Sequence, residues 1–97
     1  MNIKIQSVHF DAAEKLETFI RQKTGKLEQY FDGIISAEVT LRLDKSDTTE
    51  NKIAEIELDI PGGNLFAKKQ NKTFEEAVDT ACEALRKQLV KRKEKIS

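Results

Sequence analysis

Residues 35–69 read ISAEVTLRLDKSDTTENKIAEIELDIPGGNLFAKK. Ile35, Ala37, Val39, Leu41 and Leu43 alternate with Ser36, Glu38, Thr40 and Arg42, the two-residue period of a strand with one buried face. Ala54, Ile56, Leu58 and Ile60 repeat it against Glu55, Glu57 and Asp59. Pro61-Gly62-Gly63-Asn64 is a turn signal and leads into a short strand, Leu65 to Lys69. Hairpin-like connections favour antiparallel pairing of these three strands. Between the first two, Asp44 to Asn51 lacks apolar anchors and is expected to be a mobile loop.

Working outward, Asn2 to Val8 alternates with Ile3 and Ile5 on one face, a further short strand. Asp11, with Glu14 three residues on, has the spacing of a helix cap. Leu16, Ile20, Leu27 and Phe31 follow at helical spacing, with Phe19 and Tyr30 beside them. Gly25 weakens that helix by about 1 kcal/mol relative to Ala, so packing of the apolar stripe must hold it. Asp32-Gly33 is its expected end. Toward the C-terminus, Thr73 with Glu76 forms a second capping box. It opens a helix whose stripe is Phe74, Ala77, Val78, Ala81, Leu85 and Leu89. The order is β-α-β-β-β-α. Two helices on one face of a four-stranded sheet bury both stripes and one sheet face, an α+β fold. The other face carries Glu38, Glu55, Glu57 and Asp59 and is expected to meet water.

With 97 residues, the chain is read as one domain, residues 1–97. At 38% hydrophobic and 35% charged, it belongs to the soluble globular class. No apolar run approaches the roughly 20 residues of a membrane span. The alternating N-terminus is not read as a signal peptide, and a single cysteine, Cys82, points to a reducing cytoplasm.

The zero net charge hides an asymmetry. Residues 1–60 hold 8 Lys/Arg against 12 Asp/Glu, and residues 61–97 hold 9 against 5. From residue 86 on, six Lys/Arg face one acid, Glu94. Lys87, Lys91 and Lys95 recur every four residues and form one row, which Ala84 is expected to extend toward the helix start. Arg86 and Lys93 form a second row, and Lys23 and Lys26 share a flank of the first helix. Side by side, the two helices would merge these sets into one anion-binding patch. The alternative is a solvated helix end whose cations complement the helix dipole, which accounts for two or three of them.

No catalytic constellation is present. His9, the only histidine, falls at a strand-to-helix junction, and Cys82 falls mid-helix beside the stripe. One His and one Cys cannot fill a zinc site. The Pro61-Gly62-Gly63 turn lacks the glycine spacing and the Lys-Ser/Thr of a phosphate loop. The reading is therefore not an enzyme, with no metal, cofactor or small-molecule substrate.

The stretch Lys23-x-x-Lys26-Leu27-Glu28-Gln29-Tyr30-Phe31-Asp32 resembles the end of the first helix in bacterial ribosome hibernation-promoting factors. These are the ribosome-associated inhibitors also called protein Y or sigma-54 modulation proteins. Ala77-Val78-Asp79, Leu85, Gln88-Leu89 and Lys91-x-Lys93-x-Lys95 resemble their last helix. The element order and the glycine turn fit as well, so the likeness spans essentially the whole chain. It implies a fold similar to a double-stranded-RNA-binding domain. It also implies binding to 16S ribosomal RNA of the small (30S) subunit, in the channel of messenger RNA and of A- and P-site transfer RNA. The expected outcome is translation silenced in stationary phase or stress, by a cytoplasmic protein that is a monomer off the ribosome. Carried over by position, Lys23, Lys26, Lys87, Lys91, Lys93 and Lys95 match basic positions of the pattern, and Arg86 joins them as a candidate RNA contact. Ala84 stands where relatives commonly carry a lysine, and Arg86 where many carry no charge. Thr73-Phe74-Glu75-Glu76 departs from the more usual Asp-x-Tyr. The chain resembles the short form of the family. The alternatives left open are a general double-stranded-RNA-binding module and a protein-interaction modulator of transcription.

Overall fold

The computed structural model describes residues 1–45 and 49–96, with side chains as far as Glu94. Strand β1 (Asn2–Ser7) leads to helix α1 (Glu14–Gly25), which tightens into a 3-10 turn at Lys26–Gln29. Strands β2 (Ser36–Leu43), β3 (Lys52–Ile60) and β4 (Gly63–Asn71) follow, and helix α2 (Phe74–Ile96) closes the chain. The sheet order is β1-β2-β3-β4. β1 runs parallel to β2, which requires a crossover, and α1 supplies it. β2-β3 and β3-β4 are antiparallel.

Register decides which side chains meet the helices. Ile56 lies between Val39 and Ala67, and Leu58 between Ala37 and Leu65. This layer, with Leu41, Ala54 and Ile60, packs against Ile20, Leu27, Ala77, Val78, Ala81, Leu85 and Leu89. On the opposite face Glu38 lies across from Glu57, and Glu57 across from Phe66, which is exposed. Glu38 and Glu57 meet water as expected. Glu55 and Asp59 are half-buried, and Glu55 is gripped by Arg42 and Lys68.

Three local features differ from the sequence reading. Asp11 does not cap α1: Ala13 holds the cap position without a side-chain hydrogen bond, and its carbonyl accepts from Glu17 N at 3.0 Å. The α-helix does not run to Phe31. From Lys26 the winding tightens, Leu27 remains buried, and Tyr30 N donates to Leu27 O at 3.0 Å. Gly33 then turns the chain with φ +83°, the left-handed conformation glycine tolerates. Finally, both ends of the β2 stripe leave the core: Leu43 is exposed at the strand's end, and Ile35 is exposed with Ile34 buried in its place, because the pleat begins only at Ser36. Of the loop expected to be mobile, residues 44–51, positions 46–48 lie outside the described residues. The ends of that loop are tied, with Asp44 N donating to Asn51 O at 2.8 Å and Gln70 to Glu50 O at 2.6 Å.

Candidate nucleic-acid interface

Thr73 caps α2 as its sequence predicts, its hydroxyl accepting from Glu76 N at 3.1 Å. Phe74 stacks on Phe10 with ring centroids 5.1 Å apart, tying the helix start to the β1–α1 junction. Ala77, Val78, Ala81, Cys82, Leu85 and Leu89 then face the sheet and α1. With that stripe buried, Lys87, Lys91 and Lys93 are exposed on α2. The side chain of Lys95 lies outside the described residues.

Lys23 and Lys26 do approach α2. Together with Tyr30, Asp79, Cys82, Glu83 and Arg86 they line a shallow cleft between the helices. Two of its cations are already engaged. Lys23 Nζ sits 3.2 Å from Asp79 Oδ1 and 5.7 Å from the centre of the Phe19 ring. Arg86 makes a two-armed contact with Glu83, Nε donating to Oε2 at 3.0 Å and Nη2 to Oε1. Its guanidinium also lies 5.8 Å from the centre of the Tyr30 ring. The hydrogen bond from Arg86 holds the Glu83 carboxyl below its usual range, and the same bond raises Arg86. Lys26 is exposed. The structure therefore joins Lys23, Lys26 and Arg86 in one cleft, while Lys87, Lys91 and Lys93 lie outside it, farther along α2.

Ala84 does not extend the lysine row. It is half-buried against the core. Glu83, four residues before Lys87 and exposed, is the residue in line with it, and Asp79 and Glu75 continue the line. The Arg86–Glu83 pair was readable as an i,i+3 spacing of opposite charges. The Lys23–Asp79 pair joins two separate helices and has no local signal. Nor does the role of Arg92, which leaves the basic cluster: its Nη2 donates to Gly62 O at 3.2 Å, across the β3–β4 turn. A Cβ added at Gly63 would stand 3.3 Å from that guanidinium.

Cys82 lines the cleft, and His9 is not among its lining residues. Burial pushes the Cys82 thiol up to about 11, so it stays protonated at neutral pH. His9 is exposed at the β1–α1 junction with φ 67°.

The sequence model of the family described as Sigma 54 modulation protein / S30EA ribosomal protein matches residues 3–97. The chain belongs to this family. Among curated members, it is 31% identical over 96 residues to the ribosome hibernation promoting factor of Escherichia coli, covering 99% of this chain and 97% of that one. It is 30% identical over 95 residues to the factor of the same name from Pseudomonas putida, covering 98% and 89%. It is also 30% identical to the ribosome hibernation promotion factor of Bacillus subtilis, covering the whole of this chain and 51% of that one. The family fold matches as well. The N-terminal domain of Thermus thermophilus Protein Y superposes with a TM-score of 0.81 at 27% identity, over 94% of this chain and 98% of that one. A ribosomal subunit interface protein from Coxiella burnetii superposes at 0.83 with 20% identity, over 97% and 99%, a likeness of fold. Within this S30EA family, the basic half of α2 and the cleft beside it are the candidate ribosome-facing surface.

Proposed function

We propose that this protein is a ribosome hibernation factor. It binds the 30S subunit through 16S ribosomal RNA in the channel of messenger RNA and of A- and P-site transfer RNA, and so idles translation under starvation or stress in the cytoplasm. The observation that carries the reading is the exposed lysine set Lys87, Lys91 and Lys93 on the outward face of α2, with Lys26 at the neighbouring cleft. Family membership supports a ribosomal partner.

The mechanism is occlusion without chemistry. Lysines neutralise phosphates and release counterions, which supplies affinity independent of base sequence. The RNA is recognised by shape and phosphate position. Lys23 and Arg86 belong to the same surface by position, although each is held by a carboxylate. A general duplex-binding module is disfavoured by the start of α2, where Glu75, Glu76 and Asp79 would meet the phosphates that such modules grip.

The test is the double change Lys87→Glu with Lys91→Glu, followed by co-sedimentation with purified small subunits. Binding is expected to vanish while the circular dichroism spectrum is unchanged. Undiminished co-sedimentation by the folded variant would overturn the assignment of the surface. Wild-type protein that ignores ribosomes but is retained on RNA polymerase in nuclease-treated lysate would favour transcription control instead.

A further inference from the structure

Glu75, Asp79, Glu83, Lys87 and Lys91 are spaced by four along α2 and all five are exposed. They form one outward line whose sign reverses between Glu83 and Lys87. The acidic half is not a neutral flank, because two of its carboxylates are bound to cations of the cleft. In both pairs the cation is the inner partner. The side chain of Lys23 is 36% exposed against 63% for Asp79, and that of Arg86 is 34% against 53% for Glu83. An anion arriving from solvent must therefore compete with a carboxylate already seated on either cation. The carboxylate oxygens, at 3.2 Å from Lys23 Nζ and 3.0 Å from Arg86 Nε, stand where phosphate oxygens would stand.

We propose that Asp79 and Glu83 are specificity-determining residues that act as built-in substitutes for phosphate, withdrawing Lys23 and Arg86 from RNA and ending the RNA track at the Glu83–Lys87 boundary. The inference deepens the ribosome-binding reading and rests on it for the identity of the RNA. The strand's phosphates engage Lys26, Lys87, Lys91 and Lys93. A backbone that strays toward the start of α2 finds its cations already paired and Glu75 and Glu76 facing it. The surface thereby accepts phosphates along one half of a helix and refuses them along the other. A uniformly basic helix cannot make that distinction, because it would accept any duplex in any register.

The experiment is a pair of double-mutant cycles on the full chain, with a short A-form RNA duplex and purified small ribosomal subunits as parallel probes. Glu83→Gln releases Arg86. At about 0.1 M salt one added phosphate contact is expected to raise affinity for the duplex about eightfold. In an Arg86→Gln background the gain from the same Glu83→Gln change should shrink to the small part carried by its coulombic coupling to Lys87. Asp79→Asn, alone and with Lys23→Gln, should behave in the same way. A gain that persists undiminished in the Arg86→Gln background would overturn the proposal, because Glu83 would then act only by general repulsion. No gain, or weaker binding by Glu83→Gln, would overturn it too, the latter because Glu83 would be orienting Arg86 toward RNA. Wild-type protein that fails to bind subunits would remove the ribosomal reading, while the duplex arm would still decide the role of the two carboxylates.

Discussion

Raising the salt concentration counts the cations that touch phosphate. Lys26, Lys87, Lys91 and Lys93 are exposed, and none of the four is in an ion pair among the described residues. Each phosphate neutralised contributes about 0.9 to the steepness of log affinity against log salt. Four contacts give a slope of about −3.6, so affinity falls about 150-fold between about 0.1 and about 0.4 M salt. Counting Lys23 and Arg86 as well gives about −5.4 and a loss of about 1,800-fold over the same interval. Lys87→Gln with Lys91→Gln removes two contacts, so the slope flattens by about 1.8 and its four-contact value leaves a loss of about 12-fold. Lys95 contributes equally to wild type and variant, so the difference between them isolates the two lysines. The assay is fluorescence anisotropy of labelled protein titrated with small subunits across a salt series at fixed magnesium. A slope in the double variant within about 0.5 of the wild-type value would refute the reasoning, since the exposed row would then not be touching phosphate.

Leu85 is fully buried between α2 and the sheet, so Leu85→Ala should cost about 2–5 kcal/mol and lower Tm by at least about 8 °C. Lys87→Ala, two residues away and exposed, should stay within about 0.5 kcal/mol in the same thermal melts. Gly62 has φ +87°, so Gly62→Ala should destabilise by about 1–2 kcal/mol in urea unfolding, and an unchanged midpoint would contradict that geometry. The Cys82 thiol ionises near 9 when unfolded and near 11 when folded, so the native state holds its proton more tightly. Its contribution to stability is therefore present below about pH 9 and is lost as pH rises toward 11; wild type should weaken relative to Cys82→Ala across that window in pH-dependent melts.

The antiparallel core of the fold was legible because β2 and β3 bury one face and wet the other, which writes a period of two directly into the residues. The ends were less legible. Ile35 carries the right residue in the right phase, yet the pleat starts one residue later and turns it outward. The cap of α2 was readable since the Thr73 hydroxyl accepts from the backbone N–H of Glu76, a local bond, whereas α1 begins behind Ala13, which leaves no polar signature. For the site, the exposed lysines followed from the position of the buried stripe. Of their neutralised neighbours Arg86 was readable from its spacing to Glu83, whereas Lys23 was not. Which carboxylate reaches Lys23 is settled by how two helices pack, and the reach of Arg92 to the carbonyl of Gly62 joins residues thirty apart in the chain.

That last contact has a mechanical consequence. Arg92 fastens the distal part of α2 to a hairpin tip, while Phe74 fastens its beginning to Phe10. A helix pinned near both ends behaves as a beam, not a cantilever. Its lysines hold fixed spacings before any partner arrives, so the ordering entropy is spent during folding and little of it is charged to docking. The turn at Gly62 and Gly63 thus helps hold the charged helix in place.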